Sequence, residues 1–479
     1  MIMKRITAGD YTWIIVSSKK GFFMSCAQQK SVLPSPAGTP DRHYEYWRNR
    51  ILISTMIGYI LFYFVRKSIT LAMPLIDADP ALKVTKVTLG IYLSTHGVLY
   101  GFSRFINGMW SDRVNPRYFM SIGLFLAALT NIGFGCSSLA WLMGTFWIIN
   151  GWVQGMGFPP CAKSLTHWFA PEERGVKFSI WNISHSLGAG FVFLLNSIVV
   201  VLGWHWRFCF FVPAALAVSG SIFLFWALRD SPESMGMEPI EDYYDRKTGR
   251  KSTPPVTSAP QKEPFWDVLV KHVFTNWAIW VLCFANFFVY IVRFSILDWA
   301  PTFLTQHKGI ELAHAGWMTA GYEIFGVIGT LLSGLLMDRV FRGRGTKVCA
   351  LYMLFCSLIA FGFWYLSSNS IIVNALFLWM LGFCVYGPQC LIGCIAANLA
   401  TKKAAASSSG LTGLFGYLST IVTGWGVGEL ASQSNGWNLV FLMLVGSAFL
   451  AMILFTLILN AASPEIVQRE KEEQMKKSA

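Results

Sequence analysis

Charge is scarce in this sequence. Only 13% of its residues are Asp, Glu, Lys or Arg, against about 25% in a typical soluble domain. The chain's 479 residues would suffice for two or three soluble domains, and this composition excludes them. Acidic residues are the scarcer sign, 25 against 38 basic ones, and a basic excess of this kind raises nucleic-acid binding as a class. No single face or segment collects the charge, so no nucleic-acid partner is expected. The ten cysteines lack metal-ligand spacing, and most stand inside apolar runs, such as Cys349, Cys356, Cys384, Cys390 and Cys394. They read as small packing residues, with no metal and no cofactor expected. There is no Gly-x-x-x-x-Gly-Lys-Ser/Thr loop to harness a nucleotide, and no Ser/His/Asp set for hydrolysis, so the chain does not read as an enzyme. No signal peptide is expected over the first 45 residues: the apolar stretch from Trp13 to Val16 is too short, and Lys19 and Lys20 interrupt the apolar character just beyond it. Met1 and Met24 are both candidate starts.

What fills the space is apolar. The chain is 54% hydrophobic, with 38 Phe and 20 Trp, and runs of about 20 apolar residues, the length a bilayer needs, recur from Ile51 to Asn460. The pattern predicts an all-α membrane protein with twelve transmembrane helices near 51–75, 87–110, 118–136, 140–162, 177–201, 207–228, 273–300, 315–337, 347–366, 371–394, 408–430 and 438–460. With the N-terminus inside, about thirty of the 38 basic residues fall in cytoplasmic segments and about four outside, so the basic excess is a topology signal. Both termini are therefore expected in the cytoplasm. The expected organisation is a tail over 1–47, a six-helix bundle over 48–228, a linker over 229–271, a second bundle over 272–460 and a tail over 461–479. The linker is marked by mixed charge and by Pro232, Pro239, Pro254, Pro255 and Pro260.

The two halves repeat. Leu61-Phe62-Tyr63-Phe64-Val65-Arg66-Lys67-Ser68 matches Phe288-Val289-Tyr290-Ile291-Val292-Arg293-Phe294-Ser295, with a spacing of 227 for both the tyrosines and the arginines. Gly108-Met109-Trp110-Ser111-Asp112-Arg113 matches Gly334-Leu335-Leu336-Met337-Asp338-Arg339 at a spacing of 226. Parallel six-helix repeats with the substrate site between them are the major facilitator architecture. In the Gly-x-x-x-Asp-Arg segments the glycine admits a neighbouring helix. The charges at the helix end, Asp112, Arg113, Asp338 and Arg339, with Arg117 completing the first copy, read as a cytoplasmic latch.

Four cations lie within the predicted helices: Arg66, Lys67, Arg104 and Arg293. An arginine at a helix centre costs about 2.5–3.5 kcal/mol on insertion scales, so each calls for a compensating role. Tyr59, Tyr63 and Arg66 share one helical face, and Asn286, Tyr290 and Arg293 repeat that spacing. No acid shares either face. Two facing guanidiniums without carboxylates suit a tetrahedral anion that takes bidentate hydrogen bonds, and phosphate fits; snorkelling is the structural alternative. Arg104, with Tyr100 one turn before it, adds charge to the cavity or snorkels to the cytoplasmic surface. His185 is a candidate for substrate contact or a protonation-linked role. Lys67 and Asp298 are candidates for an ion pair closing the outer gate, and Glu323 is expected to pair within the bundle.

These residues resemble the organophosphate:phosphate antiporters of the major facilitator superfamily, a group that includes glycerol-3-phosphate and hexose-phosphate transporters and a hexose-phosphate sensor. The resemblance runs from about Tyr46 to Asn460. It is carried by Tyr63-Phe64-Val65-Arg66-Lys67, Tyr100-Gly101-Phe102-Ser103-Arg104-Phe105, Gly151-Trp152-Val153-Gln154-Gly155-Met156-Gly157, Trp181-Asn182 with His185, Ile296-Leu297-Asp298-Trp299, Tyr386-Gly387-Pro388 and Gly413-Leu414-Phe415-Gly416-Tyr417. The resemblance implies that Arg66 and Arg293 bind phosphate, with Tyr59, Tyr63, Tyr100, Asn182, His185, Tyr290, Tyr386 and Tyr417 around them. It also implies exchange of an organic phosphate for inorganic phosphate by a monomer in the lipid bilayer. Arg104 and Phe158 stand where the glycerol-phosphate transporter has lysine and tryptophan, and Ser409 and Thr412 where one hexose-phosphate transporter has an Asp and Lys pair. The segment Tyr46-Trp47-Arg48 looks more like the hexose-phosphate members. A hexose 6-phosphate such as glucose 6-phosphate is the expected sugar phosphate; glycerol 3-phosphate as substrate, and a sensor signalling to a kinase, are the alternatives.

Overall fold

The computed structural model describes residues 2–8, 11–18, 21–28, 39–111, 113–249, 270–341, 343–366 and 370–459. The chain forms two compact units, Met1–Asn49 and Arg50–Ala479. The first holds an antiparallel sheet of β1 (Ile2–Ala8), β2 (Tyr11–Ser18) and β3 (Gly21–Gln28), paired from Ala8 with Tyr11 and from Ser18 with Gly21. Its β-branched and aromatic run Thr12-Trp13-Ile14-Ile15-Val16 suits a pleated strand. Residues expected only as a tail thus form strands, each far shorter than the apolar run that marks a membrane span.

The second unit is helical. Its elements are α1 (Thr39–Asp77, entered from the first unit), α2 (Lys86–Ser111), α3 (Pro116–Cys136), α4 (Ala140–Gln154), α5 (Phe158–Trp168), α6 (Pro171–Val201) and α7 (Phe208–Ala227). After the short α8 (Ile240–Thr248) come α9 (Trp277–Gln306), α10 (Leu312–Leu335), α11 (Gly345–Tyr365), α12 (Ile371–Leu399), α13 (Thr401–Leu418), α14 (Val427–Ala431) and α15 (Gly436–Leu457). Among the described residues nine helices are long and apolar enough to cross a membrane. Three further passes complete the twelve. One is α2, whose apolar face is diluted by His96, Arg104 and Asn107. The other two are broken: α4 with α5, and α13 with α14 joined by a π-helical turn, Val422–Gly426.

The first break has a local cause. At Gly155 an added Cβ would stand 2.2 Å from Ser103 Oγ and 2.8 Å from Arg104 N, so only glycine lets α2 and α4 touch there. Ser103 Oγ donates to Trp152 O across that contact, and Pro159 and Pro160 then supply no amide donors where α5 begins. The predicted helix over 140–162 is thus two helices, and the second runs on to Trp168.

With an even number of passes, Arg50 and Leu457 lie at one end of the helical unit, here the near end; the loops 78–85, 202–207 and 307–311 lie at the far end. Hydrogen bonds joining the first six passes to the last six cluster toward the far end. Gln306 Nε2 donates to Asp77 Oδ2 at 2.9 Å, Ser94 Oγ donates to Thr420 O at 2.9 Å, and Trp425 N donates to Ser94 Oγ at 2.7 Å.

Candidate functional site

Arg66 of α1 and Arg293 of α9 are both buried, 7% and 4% exposed. Helical spacing sets each on its own tyrosine three residues earlier: the Arg66 guanidinium carbon is 5.4 Å from the Tyr63 ring centre, and that of Arg293 is 5.6 Å from Tyr290. The repeat in the sequence is therefore a repeat in geometry. Neighbouring helices supply a second ring to each. Tyr100 of α2 lies 3.8 Å from Arg66, and Tyr386 of α12 lies 4.8 Å from Arg293.

These rings form a closed belt. Tyr100 meets Tyr417 of α13 at 5.1 Å, and Tyr417 meets Tyr290 at 6.0 Å. On the other side His185 of α6 stands 6.0 Å from Tyr63 and 6.2 Å from Tyr386. The belt thus crosses between the halves twice, at Tyr100–Tyr417 and at His185–Tyr386. Close approach of α6 to α1 depends on Gly188, where an added Cβ would meet Tyr63 Cβ at 2.7 Å and Ile60 O at 2.8 Å. Tyr59 extends the belt toward the near end, 5.5 Å from Tyr63 and 4.7 Å from Trp181.

The electrostatics are lopsided. Lys67 pairs with Asp298 and Lys163 with Asp230, whereas neither Arg66 nor Arg293 has an ion-pair partner among the described residues. The Arg293 Nε is buried without a hydrogen-bond partner among the described residues. Lys67 and Asp298 pair in a setting where each is 7% exposed. Glu323 of α10 is fully buried; Tyr386 Oη donates to its Oε1 at 2.5 Å, while its Oε2 has no described partner. A carboxylate thus reaches the Arg293 side from another helix, through a tyrosine hydroxyl and not as a salt bridge. Reading acids along single helix faces missed that route.

Arg104 does not reach past the helix end. Its guanidinium carbon lies over Phe158, 3.8 Å from the ring centre, and Phe158 meets Trp181 at 5.6 Å. Asn286 Nδ2 donates to Thr412 O at 2.7 Å, joining α9 to α13. Thr412 Oγ1 turns back to Ser409 O at 2.9 Å, and Ser409 Oγ faces Gly393, so these two side chains are engaged within and beside α13. Asn182 is half-buried on α6. His96, one turn before Tyr100, is held by Asn150 Oδ1 at 3.1 Å and stacks on Trp147.

The near-end charges divide. Arg117 donates to Phe225 O and covers the Phe225 ring at 4.3 Å, tying α3 to α7, whereas Arg113 and Arg339 are exposed. Asp112 and the Asp338 side chain lie outside the described residues. Past the end of α7, burial together with the like charges of Arg117 and Arg50 draws the Arg229 pKa down.

Two contributors escaped sequence reading. Phe294 stands 5.2 Å from the Arg293 guanidinium and 5.4 Å from Lys67 Nζ. The repeat aligns Phe294 with Lys67, and that correspondence was the available signal. Ser94 left no trace in the sequence, because its partners lie in another pass.

Together the belt offers two buried guanidiniums, with the Arg293 Nε unpaired among the described residues, walled by phenols and an imidazole. It suits a compact anion carrying hydroxyl groups.

The sequence profile of the Major Facilitator Superfamily matches residues 55–424. A probable hexose phosphate transport protein of Chlamydia pneumoniae is 39% identical over 426 residues, 88% of this chain and 93% of that protein. A glycerol-3-phosphate transporter of Bacillus subtilis (strain 168) is 37% identical, covering 88% of this chain and 94% of its own length. The membrane sensor protein UhpC of Escherichia coli (strain K12) is 32% identical, covering 90% and 98%. Among solved structures, a bacterial homologue of the human lysosomal transporter Spinster, inward-facing and unoccupied, superposes with a TM-score of 0.68 at 15% identity, covering 86% of this chain and 97% of that one. That likeness concerns the fold.

Proposed function

The chain belongs to the Major Facilitator Superfamily, within its organophosphate:phosphate antiporter group, and on that premise we propose that it exchanges a hexose 6-phosphate, such as glucose 6-phosphate, for inorganic phosphate by alternating access. The observation that carries the reading is the buried pair Arg66 and Arg293, one from each half, in a single aromatic belt and without an ion-pair partner among the described residues.

The coupling follows from electrostatics. Two unneutralised guanidiniums in a low-dielectric site resist being enclosed together. A phosphoryl group supplies the missing charge, so the halves rock only when loaded, and outward movement of phosphate drives uptake of sugar phosphate without a nucleotide. The substrates cross unchanged. Far-end bonding through Lys67–Asp298, Gln306–Asp77 and Ser94–Thr420 supports a state closed on that side.

The basic skew of the near-end segments, including Arg50, Arg113, Arg117 and Arg229, supports a cytoplasmic near end with both termini inside; the same proposal places the chain in the cell inner membrane, with a linker over 229–271 between bundles at 48–228 and 272–460. A working monomer is part of the same proposal.

A second reading is favoured by the similarity to a membrane sensor protein along nearly its whole length: binding of external hexose phosphate signalled to a kinase. Purified chain in phosphate-loaded liposomes separates the two. Exchange of labelled phosphate, inhibited by glucose 6-phosphate more strongly than by glycerol 3-phosphate or phosphoenolpyruvate, is the expected result. Saturable binding of glucose 6-phosphate with no phosphate movement establishes the sensor reading instead.

A further inference from the structure

Apart from the aromatic belt, the first six passes hold a cavity of about 550 Å³ between α2 and α5. Arg104, Phe158, Lys163, Thr166 and His167 are among its lining residues, and no carboxylate is among them. Its volume lies in the range of small-molecule sites, about 300–1,000 Å³. The cations in its wall are differently committed. Lys163 Nζ donates to Val114 O at 3.0 Å and pairs with Asp230 at 3.3 Å, so its charge is already shared. The Arg104 guanidinium carbon lies over Phe158, 3.8 Å from the ring centre. A cation–π contact of this kind uses none of the N–H donors and leaves them for a ligand. Toward the near end, Thr166 and His167 are exposed in the last turn of α5. Arg174 caps that turn, donating from Nη2 to Thr166 O at 2.9 Å.

Position adds the second half of the case. Arg104 follows Tyr100 by one helical turn on α2, about 6 Å of rise, and Tyr100 is the ring on which Arg66 rests. The cavity therefore adjoins the belt at one end and has exposed residues at the other, with a guanidinium at the junction.

We propose that this cavity is a second, shallower anion subsite that receives a phosphoryl group from the near face and passes it along α2 from His167 and Arg104 to Arg66. The subsite recognises the phosphoryl dianion, whether free phosphate or the head of a sugar phosphate. It rests on the exchange reading for its role in transport, but not for its existence.

The test uses the full chain in liposomes of known orientation, with half-saturating phosphate concentration measured at each face. His167→Ala is expected to raise the near-face value roughly threefold relative to the far-face value, as loss of one exposed hydrogen bond does. His167→Lys, which keeps an N–H donor at the same place, is expected to hold the ratio near that of the unsubstituted chain. An unchanged ratio in His167→Ala, or equal changes at both faces, overturns the proposal. Should the unsubstituted chain exchange no phosphate, the exchange reading fails, and equilibrium titration of the purified protein still decides the subsite. Two binding steps for inorganic phosphate, the weaker lost in His167→Ala, support it, and a single step of equal affinity in both proteins sinks it. Repeating the titration with glucose 6-phosphate identifies the source. A weaker step for both ligands marks a reader of the phosphoryl head, and one for inorganic phosphate alone marks a site for the free anion.

Discussion

Lys67 of α1 and Asp298 of α9 form an ion pair that bridges the two halves of the chain, each residue 7% exposed. Removing one partner from such a pair leaves a buried charge uncompensated and costs about 3–5 kcal/mol, whereas removing both with apolar residues costs far less. Lys67→Ala is expected to weaken far-end closure and lower thermal stability, and Lys67→Met with Asp298→Leu to recover most of the stability. Melting of the detergent-solubilised variants checks this; a single variant as stable as the parent contradicts it.

The two central arginines are expected to fail conservative replacement. Lysine keeps the charge and loses the planar fork, and truncating one partner of a buried charged contact costs about 2–5 kcal/mol. Arg66→Lys and Arg293→Lys should each lower phosphate exchange at least about 30-fold with membrane insertion intact. Exchange at the parental rate in either variant removes that arginine from the site.

Tyr386 serves two neighbours through different atoms: its hydroxyl donates to Glu323 and its ring faces Arg293. Tyr386→Phe keeps the ring and strips the donor, leaving Glu323 without it at a cost of about 1–3 kcal/mol. Stability is expected to fall, while phosphate affinity changes by less than about tenfold. Adding Glu323→Gln is expected to return the lost stability, because a buried neutral amide costs less than a buried carboxylate. A fall in affinity without a fall in melting temperature would reverse the assignment.

Ser94 stitches α2 to the π-helical turn of the eleventh pass, donating to Thr420 O and accepting from Trp425 N. On the alternating-access proposal those bonds must break when the far end opens. Each is worth about 1 kcal/mol, so Ser94→Ala is expected to raise far-face maleimide labelling of a reporter, Thr420→Cys, about fivefold or more. Gly90→Val should act in the same direction more strongly, since a Cβ there would lie 2.5 Å from Gly424 O. Labelling no faster than in the reporter alone sinks the latch.

The twelve passes were legible because membrane crossing is a local property: a run of apolar residues declares itself within about 20 positions. The same locality explains the errors. The window that marked 140–162 as one helix could not register that Gly155 lies against α2, and the window over 408–430 could not register the π-helical turn at Val422–Gly426. Polar residues hid the amino-terminal extension of α1 to Thr39, because hydropathy reports lipid contact and not helix continuity. At the candidate site, periodicity put Tyr63 with Arg66 and Tyr290 with Arg293, and the structure keeps both pairs. Ser409 and Thr412 were chosen by resemblance, and their side chains turn toward Gly393 and their own helix.

By itself the sequence determined how many times the chain crosses, which segments carry the positive charge, and that each half buries an arginine behind a tyrosine. Those are consequences of composition and of the 3.6-residue turn, and both act along the chain. Tertiary structure decided which rings close around the arginines, that Lys67 meets Asp298 and not a residue of its own half, and that Glu323 spends its proton acceptor on Tyr386. Such pairings depend on how each helix is rotated and where a glycine lets another approach, and no stretch of a single helix holds that information.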